Sequence, residues 1–280
     1  MSAGRLEGCR CCGASLRPLV DRGDLALYRC VACGLVSGEP AVEVPAAERY
    51  AEYHAGGQAP APDDRYHEWL AWAEATVGVG RLLEVGAGAG GLVRVALQRG
   101  WRVDATEVSA SALARLRELG AHVVGGDVVD AGYAEGTFDL VACVEVVEHL
   151  PAPLATLTEL CRVTRPGGLL LLTTPSFNGL SRRVFGARWR VVDPEHLAYF
   201  TPAALSRALR RAGYRDVTVR ARSLDLGAWS APGAKFEPAT TARRREAVHA
   251  SPGLRLAKRA LDAVLGATGL GDSLLARGCK

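Results

Sequence analysis

Residues 81–91 read RLLEVGAGAGG, an apolar run that carries one acid, Glu84, and then breaks into four glycines within six positions. The pattern predicts a buried strand, a tight turn and the start of a helix. Gly86, Gly88 and Gly90 suit the turn because side chains there would hold a ligand away from the backbone. Taken alone the stretch is ambiguous, since Gly86, Gly88 and Gly91 also satisfy the GxGxxG pattern of dinucleotide binders.

The residues beyond the turn narrow the choice. Strands are predicted over 101–107, ending in Glu107, over 121–124, before Gly126 and Asp127, over 137–143 and over 168–174. Helices are predicted between them, over 92–98, 109–119 and 153–163, the last with proline at its start. Strands that alternate with helices give an α/β fold, a mostly parallel sheet with helices on both faces. Ligands of such sheets bind at the carboxyl ends of the strands. Gly86, Glu107, Asp127 and the segment from Cys143 to Glu145 fall at those ends.

The ordered series LLEVGAGAG, Glu107, Gly126–Asp127, FDLVACVEVVEHL and RPGGLLLLTTP resembles the class I S-adenosylmethionine-dependent methyltransferases over roughly residues 65–225. The resemblance implies a Rossmann-like seven-stranded sheet closed by an antiparallel strand, here residues 270–280. It implies that Gly86, Gly88 and Gly90 pass beneath the methionyl and ribose parts of the cofactor, with Glu84 nearby. Glu107 would accept both ribose hydroxyls, which suits a carboxylate. Asp127, helped by Val128, would meet the adenine. The segment EVVEHL is similar to that of small-molecule O-methyltransferases of the ubiquinone-biosynthesis kind, and Glu145 would lie by the methionyl end. His149 is the candidate general base, because an imidazole titrates near neutrality. Its alternative is to orient the substrate. Glu148 could contribute to a divalent-ion site. The segment 175–201 resembles the loop that folds over the acceptor, with His196 a second candidate base, Tyr199 and Phe200 facing the acceptor, and Arg182, Arg183, Arg188 and Arg190 clamping an anionic group. The alternative for His196 and Phe200 is to anchor that loop.

The N-terminus carries separate chemistry. Cys9, Cys12, Cys30 and Cys33 form two CxxC knuckles, each followed by glycine and separated by 17 residues. That spacing predicts a small N-terminal zinc ribbon, four thiolates around Zn2+ with no open position, hence a structural rather than a catalytic metal. A ribbon that grips the acceptor is the alternative. Cys11 is the spare thiol. The domain boundaries read as 1–40 for the ribbon, 41–79 for a linker and entry helix, 80–225 for the cofactor core and 226–280 for a helical insertion with the closing strand. The Pro- and Ala-rich stretches 39–45 and 54–64 read as linkers. The insertion would cover the acceptor site or form a homodimer contact.

No apolar run is long enough to span a bilayer and no apolar leader core is visible near the start, which places the chain in the cytoplasm with reduced thiols. Residues 181–260 carry 17 Arg or Lys against 6 Asp or Glu, which suits an anionic acceptor, although with 31 Arg and 3 Lys overall a solvated Arg-rich surface is the plainer reading. The expectation is methyl transfer to a small-molecule acceptor, most simply at oxygen. The alternatives are an RNA base methyltransferase, which the basic third favours, and a non-catalytic binding protein on the same fold.

Overall fold

The computed structural model describes residues 6–42, 44, 48, 50, 64–225, 229 and 251–280. The 54–63 linker and nearly all of the 226–250 insertion therefore lie outside the described residues.

Three short strands, β1 (Leu16–Asp21), β2 (Leu25–Cys30) and β3 (Val36–Pro40), form an antiparallel meander near the N-terminus. Glu39 and Pro40 belong to β3, not to a linker, and pair with Ala26 and Leu25. Proline is tolerated there because the next strand of the sheet reaches only Val36 and Ser37, so its missing N–H has no ladder partner to lose.

Helix α1 (Asp64–Val77) leads into β4 (Arg81–Val85), α2 (Gly91–Gln98), β5 (Arg102–Glu107), α3 (Ala110–Glu118) and β6 (His122–Gly125). The chain then crosses to the other side of β4 and continues through β7 (Phe138–Val144), α4 (Pro153–Val163) and β8 (Thr164–Pro175). Next is a loop containing the short helix α5 (Leu180–Phe185) and strand β9 (Ala198–Tyr199). Then come α6 (Pro202–Ala212), β10 (Arg215–Arg222), α7 (Pro252–Thr268) and β11 (Ser273–Cys279). The main sheet has seven strands in the order β10-β11-β8-β7-β4-β5-β6, with β11 antiparallel to both neighbours. The expected α/β architecture, a mostly parallel Rossmann-like sheet with a closing antiparallel strand, is present.

The apolar runs in the strands serve two cores because successive side chains point to opposite faces. Leu83, Val141, Leu170 and Leu172 pack with α4 and α6 on one face. Leu82, Leu140, Leu169 and Leu171 pack with α1, α2 and α3 on the other. Trp69 belongs to the second core, with Tyr66 and Trp72 packed against it, so these aromatics of α1 are packing residues. The carboxyl ends of β4 and β7, where the strand order reverses, open the crevice expected for a ligand.

The meander is built into the body. Strand β9, from the loop after β8, becomes its fourth strand, with Val36 opposite Tyr199 and Ser37 opposite Ala198. Leu25, Leu27 and Val36 share a small core with Phe177, Trp189, Val192 and Tyr199 of that loop. Among the described residues no helix is long and apolar enough to cross a membrane.

Candidate active site

The glycine turn has the geometry its sequence asks for. Gly86, Gly88 and Gly90 all take positive φ, at 63°, 51° and 76°. A side chain at Gly86 would put a Cβ 2.6 Å from Val146 Cγ2, and one at Gly90 would meet Leu119 Cδ1 at 2.6 Å. These positions therefore need glycine for packing as well as for backbone conformation. Gly90 caps α2, and the amides of Gly86 and Ala87 donate to the Thr106 carbonyl, which ties the turn to the end of β5.

Glu107 closes β5 beside that turn. It is 6% exposed, its Oε1 accepts the amides of Val108 and Ser109 at 2.8 and 2.9 Å, and its Oε2 accepts the amide of Gly88 at 2.7 Å. With Oε1 taken up by two amides and Oε2 by one, Oε2 retains a lone pair beyond these bonds. Glu84 lies inside β4, 4% exposed, with Oε2 buried and without a hydrogen-bond partner. Burial pushes its carboxyl up to about 8; the Val93 amide opposes the rise and the charge of Glu107 adds to it. An orphaned buried oxygen beside a cradle that side chains would fill is the arrangement a cationic, hydroxyl-bearing ligand completes. S-adenosylmethionine, with its ammonium and ribose diol, fits it. Val128 is fully buried, whereas Asp127 is exposed and its Oδ1 accepts the Val129 amide at 3.0 Å.

Across the crevice, Glu145 comes just after β7 with φ of 54°, a left-handed conformation unusual for a residue with a side chain. It aims the next segment into a single 3-10 turn, Val147–His149. Glu148 is 2% exposed and accepts Thr174 Oγ1 at 2.9 Å. Burial raises its carboxyl well above the usual range, and the neighbouring Glu145 adds to the rise.

His149 and His196 are brought together, their ring centroids 4.6 Å apart in an edge contact. His149 Nδ1 lies 3.1 Å from the Glu195 carbonyl and 2.8 Å from the Tyr50 hydroxyl. A carbonyl can only accept, so Nδ1 carries the hydrogen and the ring lone pair sits on Nε2. His196 Nδ1 donates to the Val191 carbonyl at 2.6 Å, which fixes the same tautomer. One ligand atom each from Glu148, His149 and His196 lies within 4.8 Å of the others, a set able to hold a cation. Tyr50 is the residue that sequence reasoning missed, since it stands in no motif.

Other expected residues are placed differently. Tyr199 and Phe200 are 3% and 0% exposed; they wall the loop from inside rather than face an acceptor. The Tyr199 hydroxyl donates to the Asp193 carbonyl, and Phe200 packs with α6 in the first core. Arg190 is committed to an ion pair with Asp225 and is not left to clamp an anion, whereas exposed Arg183 uses only its Nε, on the Asn178 carbonyl at 3.1 Å. Thr201 caps α6, accepting the Ala204 amide at 3.2 Å, with Pro202 at the first helical position.

In the N-terminal module the four expected cysteines converge, all sulfurs lying within 4.8 Å of one another, with Cys9 to Cys33 at 3.5 Å and Cys12 to Cys30 at 3.4 Å. A tetrahedral metal at about 2.3 Å from each thiolate needs sulfurs about 3.8 Å apart. Amides of Cys11, Ala32 and Cys33 point at the Cys9 and Cys30 sulfurs. Burial pushes the Cys30 thiol up, but those amides and the neighbouring thiols outweigh it and bring it down to about 6. Cys11 is not in the cluster; it is buried, and burial pushes its thiol up to about 11. Cys143 and Cys161 are buried in the first core.

Known proteins resemble this chain over its α/β body. A family model described as a methyltransferase domain matches residues 56–219. A malonyl-[acyl-carrier protein] O-methyltransferase of Serratia marcescens is 33% identical over 51% of this chain and 62% of its own. A ubiquinone biosynthesis O-methyltransferase of Pseudomonas aeruginosa is 29% identical over 57% of this chain and 66% of its own. The match thus spans less than two thirds of either relative. Among solved structures, the phosphoethanolamine N-methyltransferase 2 of Haemonchus contortus, in complex with S-adenosyl-L-methionine, shares the fold at a TM-score of 0.57 and 17% identity, over 88% of this chain and 62% of that one. With a family match over more than half of its length, on a sheet of this order and with a glycine turn and acids at its strand ends, the chain belongs to the S-adenosylmethionine-dependent methyltransferase family.

Proposed function

We propose that the chain transfers a methyl group from S-adenosylmethionine to an oxygen of a small-molecule acceptor. The observation that carries this reading is the convergence, at the carboxyl ends of adjacent parallel strands, of the glycine turn with Glu84 and Glu107 on one side and the His149–His196 pair on the other.

Glu107 would hold the ribose diol, with the remaining lone pair on Oε2 as acceptor, and Asp127 with Val128 the adenine edge. Glu84 and Glu145 would face the methionyl end, where a cation would let Glu84 ionise in its buried setting. When bound, S-adenosylmethionine supplies a methyl group already activated on a sulfonium. The chain's task is then to orient the acceptor in line and to remove one proton. The Nε2 lone pair of His149 takes that proton, with Nδ1 steered by the Glu195 carbonyl and Tyr50. His196 lines the acceptor side next to it.

An anionic group on the acceptor fits the ribbon edge of the loop. Arg17 and Arg29 stand opposite each other on β1 and β2, and Arg182 stacks over Phe177 at 4.6 Å with its Nε buried and unpaired. Among the described residues none of the three has a carboxylate in ion-pair contact. The four cysteines would hold a structural Zn2+, and keeping them reduced points to the cytoplasm.

The test is transfer of isotopically labelled methyl from S-adenosylmethionine into a cell extract, separated by size, with and without ribonuclease. Label in the low-mass fraction is expected. Ribonuclease-sensitive label in the high-mass fraction would replace the small acceptor with RNA.

A further inference from the structure

We propose that the four-cysteine module is a positioning element for the acceptor side of the site, and that Gly38 in its third strand sets the place of His196 and, through it, of His149. This inference rests on the reading of these two histidines given above.

The loop after β8 has little to hold it in place by itself. Strand β9 is two residues long, far short of an independently stable strand. It is ordered because β3 pairs with it. The Gly38 amide donates to the Leu197 carbonyl at 2.9 Å, and the Leu197 amide donates to the Glu148 carbonyl at 2.7 Å. Leu197 is thus strung between the module on one side and the turn that carries His149 on the other. His196 is its immediate neighbour, and a Cβ at Gly38 would stand 2.6 Å from the His196 carbonyl oxygen and 3.2 Å from the Tyr199 ring. Glycine is required there by close approach of backbone to backbone, since φ at Gly38 is ordinary.

A second grip acts further back along the loop. Arg22, beside the β1–β2 turn, donates to the carbonyls of Ala187 at 2.9 Å and Val192 at 2.6 Å. Val191, next to Val192, supplies the carbonyl that fixes the His196 tautomer. Arg10, between the first two ligand cysteines, donates to the Gly38 carbonyl at 3.3 and 3.1 Å and to the Pro151 carbonyl at 3.4 Å, two residues after His149. The module therefore touches the loop backbone to backbone through Gly38, and reaches the loop and the catalytic turn through the Arg22 and Arg10 side chains on backbone carbonyls. None of these hydrogen bonds involves Glu84 or Glu107, on β4 and β5, so the cofactor contacts of those two acids should persist without them.

A module of this size has too few apolar residues for a core of its own and would owe its shape to the metal. The coupling then gives the cysteine cluster a consequence for acceptor chemistry without any metal–substrate contact.

The test uses the full chain. Gly38→Ala and Arg22→Ala proteins are compared with wild type for bound zinc, S-adenosylmethionine affinity, the imidazole nitrogen resonances of His149 and His196, and turnover. Both variants are expected to keep zinc and cofactor affinity, to shift the imidazole resonances, and to lower kcat on the order of tenfold to a hundredfold, as small misplacements of reacting groups do. Unshifted imidazole resonances with retained turnover would overturn the proposal. If Gly38→Ala fails to fold, Arg22→Ala decides, because it removes a surface tether and opens no core cavity. Absence of methyl transfer by wild-type protein that binds the cofactor would instead count against the proposed function, and the resonances would still report on positioning.

Discussion

The carboxylate of Glu107, at the end of β5, accepts the amide of Gly88, in the turn after β4, at 2.7 Å. The bond crosses between adjacent parallel strands and joins the two features that define the cofactor side of the crevice. It also holds the carboxylate with one oxygen on the turn and the other on the amides of Val108 and Ser109. Removing that carboxylate removes the proposed ribose ligand and leaves three amides without their acceptor. Glu107→Ala should therefore weaken S-adenosylmethionine by tenfold or more, at about 1–3 kcal/mol for each charged hydrogen bond lost. Glu107→Gln should fall between, because an amide can accept with only one of its two terminal atoms.

Glu84 should make cofactor binding pH-dependent. In the free protein its carboxyl titrates at about 8, so it is mostly protonated at neutrality. A cation placed against it favours the charged form, so binding should release a proton near pH 7, and affinity should rise as pH climbs toward about 8. Calorimetry in buffers of different ionisation enthalpy measures this proton directly. Stability without the cofactor runs the other way. A carboxyl whose pKa is higher folded than unfolded contributes stability that is full below the unfolded value, 4.5, and is lost as pH rises through about 8. Glu84→Gln should flatten that part of the decline.

His149→Ala should cut turnover by about 10²- to 10⁴-fold, the range for removal of a general base, while leaving cofactor affinity in place. Tyr50→Phe removes the hydroxyl 2.8 Å from Nδ1 and should cost only a few-fold, because the Glu195 carbonyl still steers the ring. Full activity of His149→Ala protein would remove the imidazole as base.

Gly86→Ala should damage the site from beneath. Its Cβ would meet Val146 Cγ2 at 2.6 Å, and φ of 63° disfavours a side chain by roughly 1–2 kcal/mol. Since Val146 adjoins Glu145, the displacement should reach the methionyl end. A lowered Tm together with weaker cofactor binding is expected, where a purely local effect would lower the Tm alone.

Withdrawal of metal, by chelation or by Cys30→Ser, should unfold the module first, because zinc sites of this kind contribute on the order of 10 kcal/mol. Protease cleavage confined to residues 6–42 before the body unfolds is the expected pattern, and zinc analysis of the intact protein checks its premise.

Much of this arrangement is legible in the residues alone, and the exceptions share a cause. The glycine turn, Glu107 and the alternating strands are local signals, written in neighbouring residues by the two-residue period of a strand and the backbone demands of a turn. The cysteine cluster is legible because metal geometry dictates spacing. Strand β9 is not, since two residues carry no periodicity and its pairing partner lies in β3. Glu39 and Pro40 look like linker by composition, although pairing with β2 makes them strand. Arg190 looks like an anion clamp until Asp225 is seen beside it, and Tyr50 gives no sign because its meaning comes only from His149 across the fold. Tyr199 reads as acceptor-facing in sequence and Phe200 as either acceptor-facing or a loop anchor, whereas the apolar surface of both is worth more inside the loop than against a crevice.

Titration of S-adenosylmethionine into wild-type and Glu107→Ala protein tests most directly whether the glycine turn and its acids form a cofactor site. One site on the wild-type chain, weakened at least tenfold in the variant, is the expected result. No binding to wild type, or equal affinity in the two proteins, would contradict it.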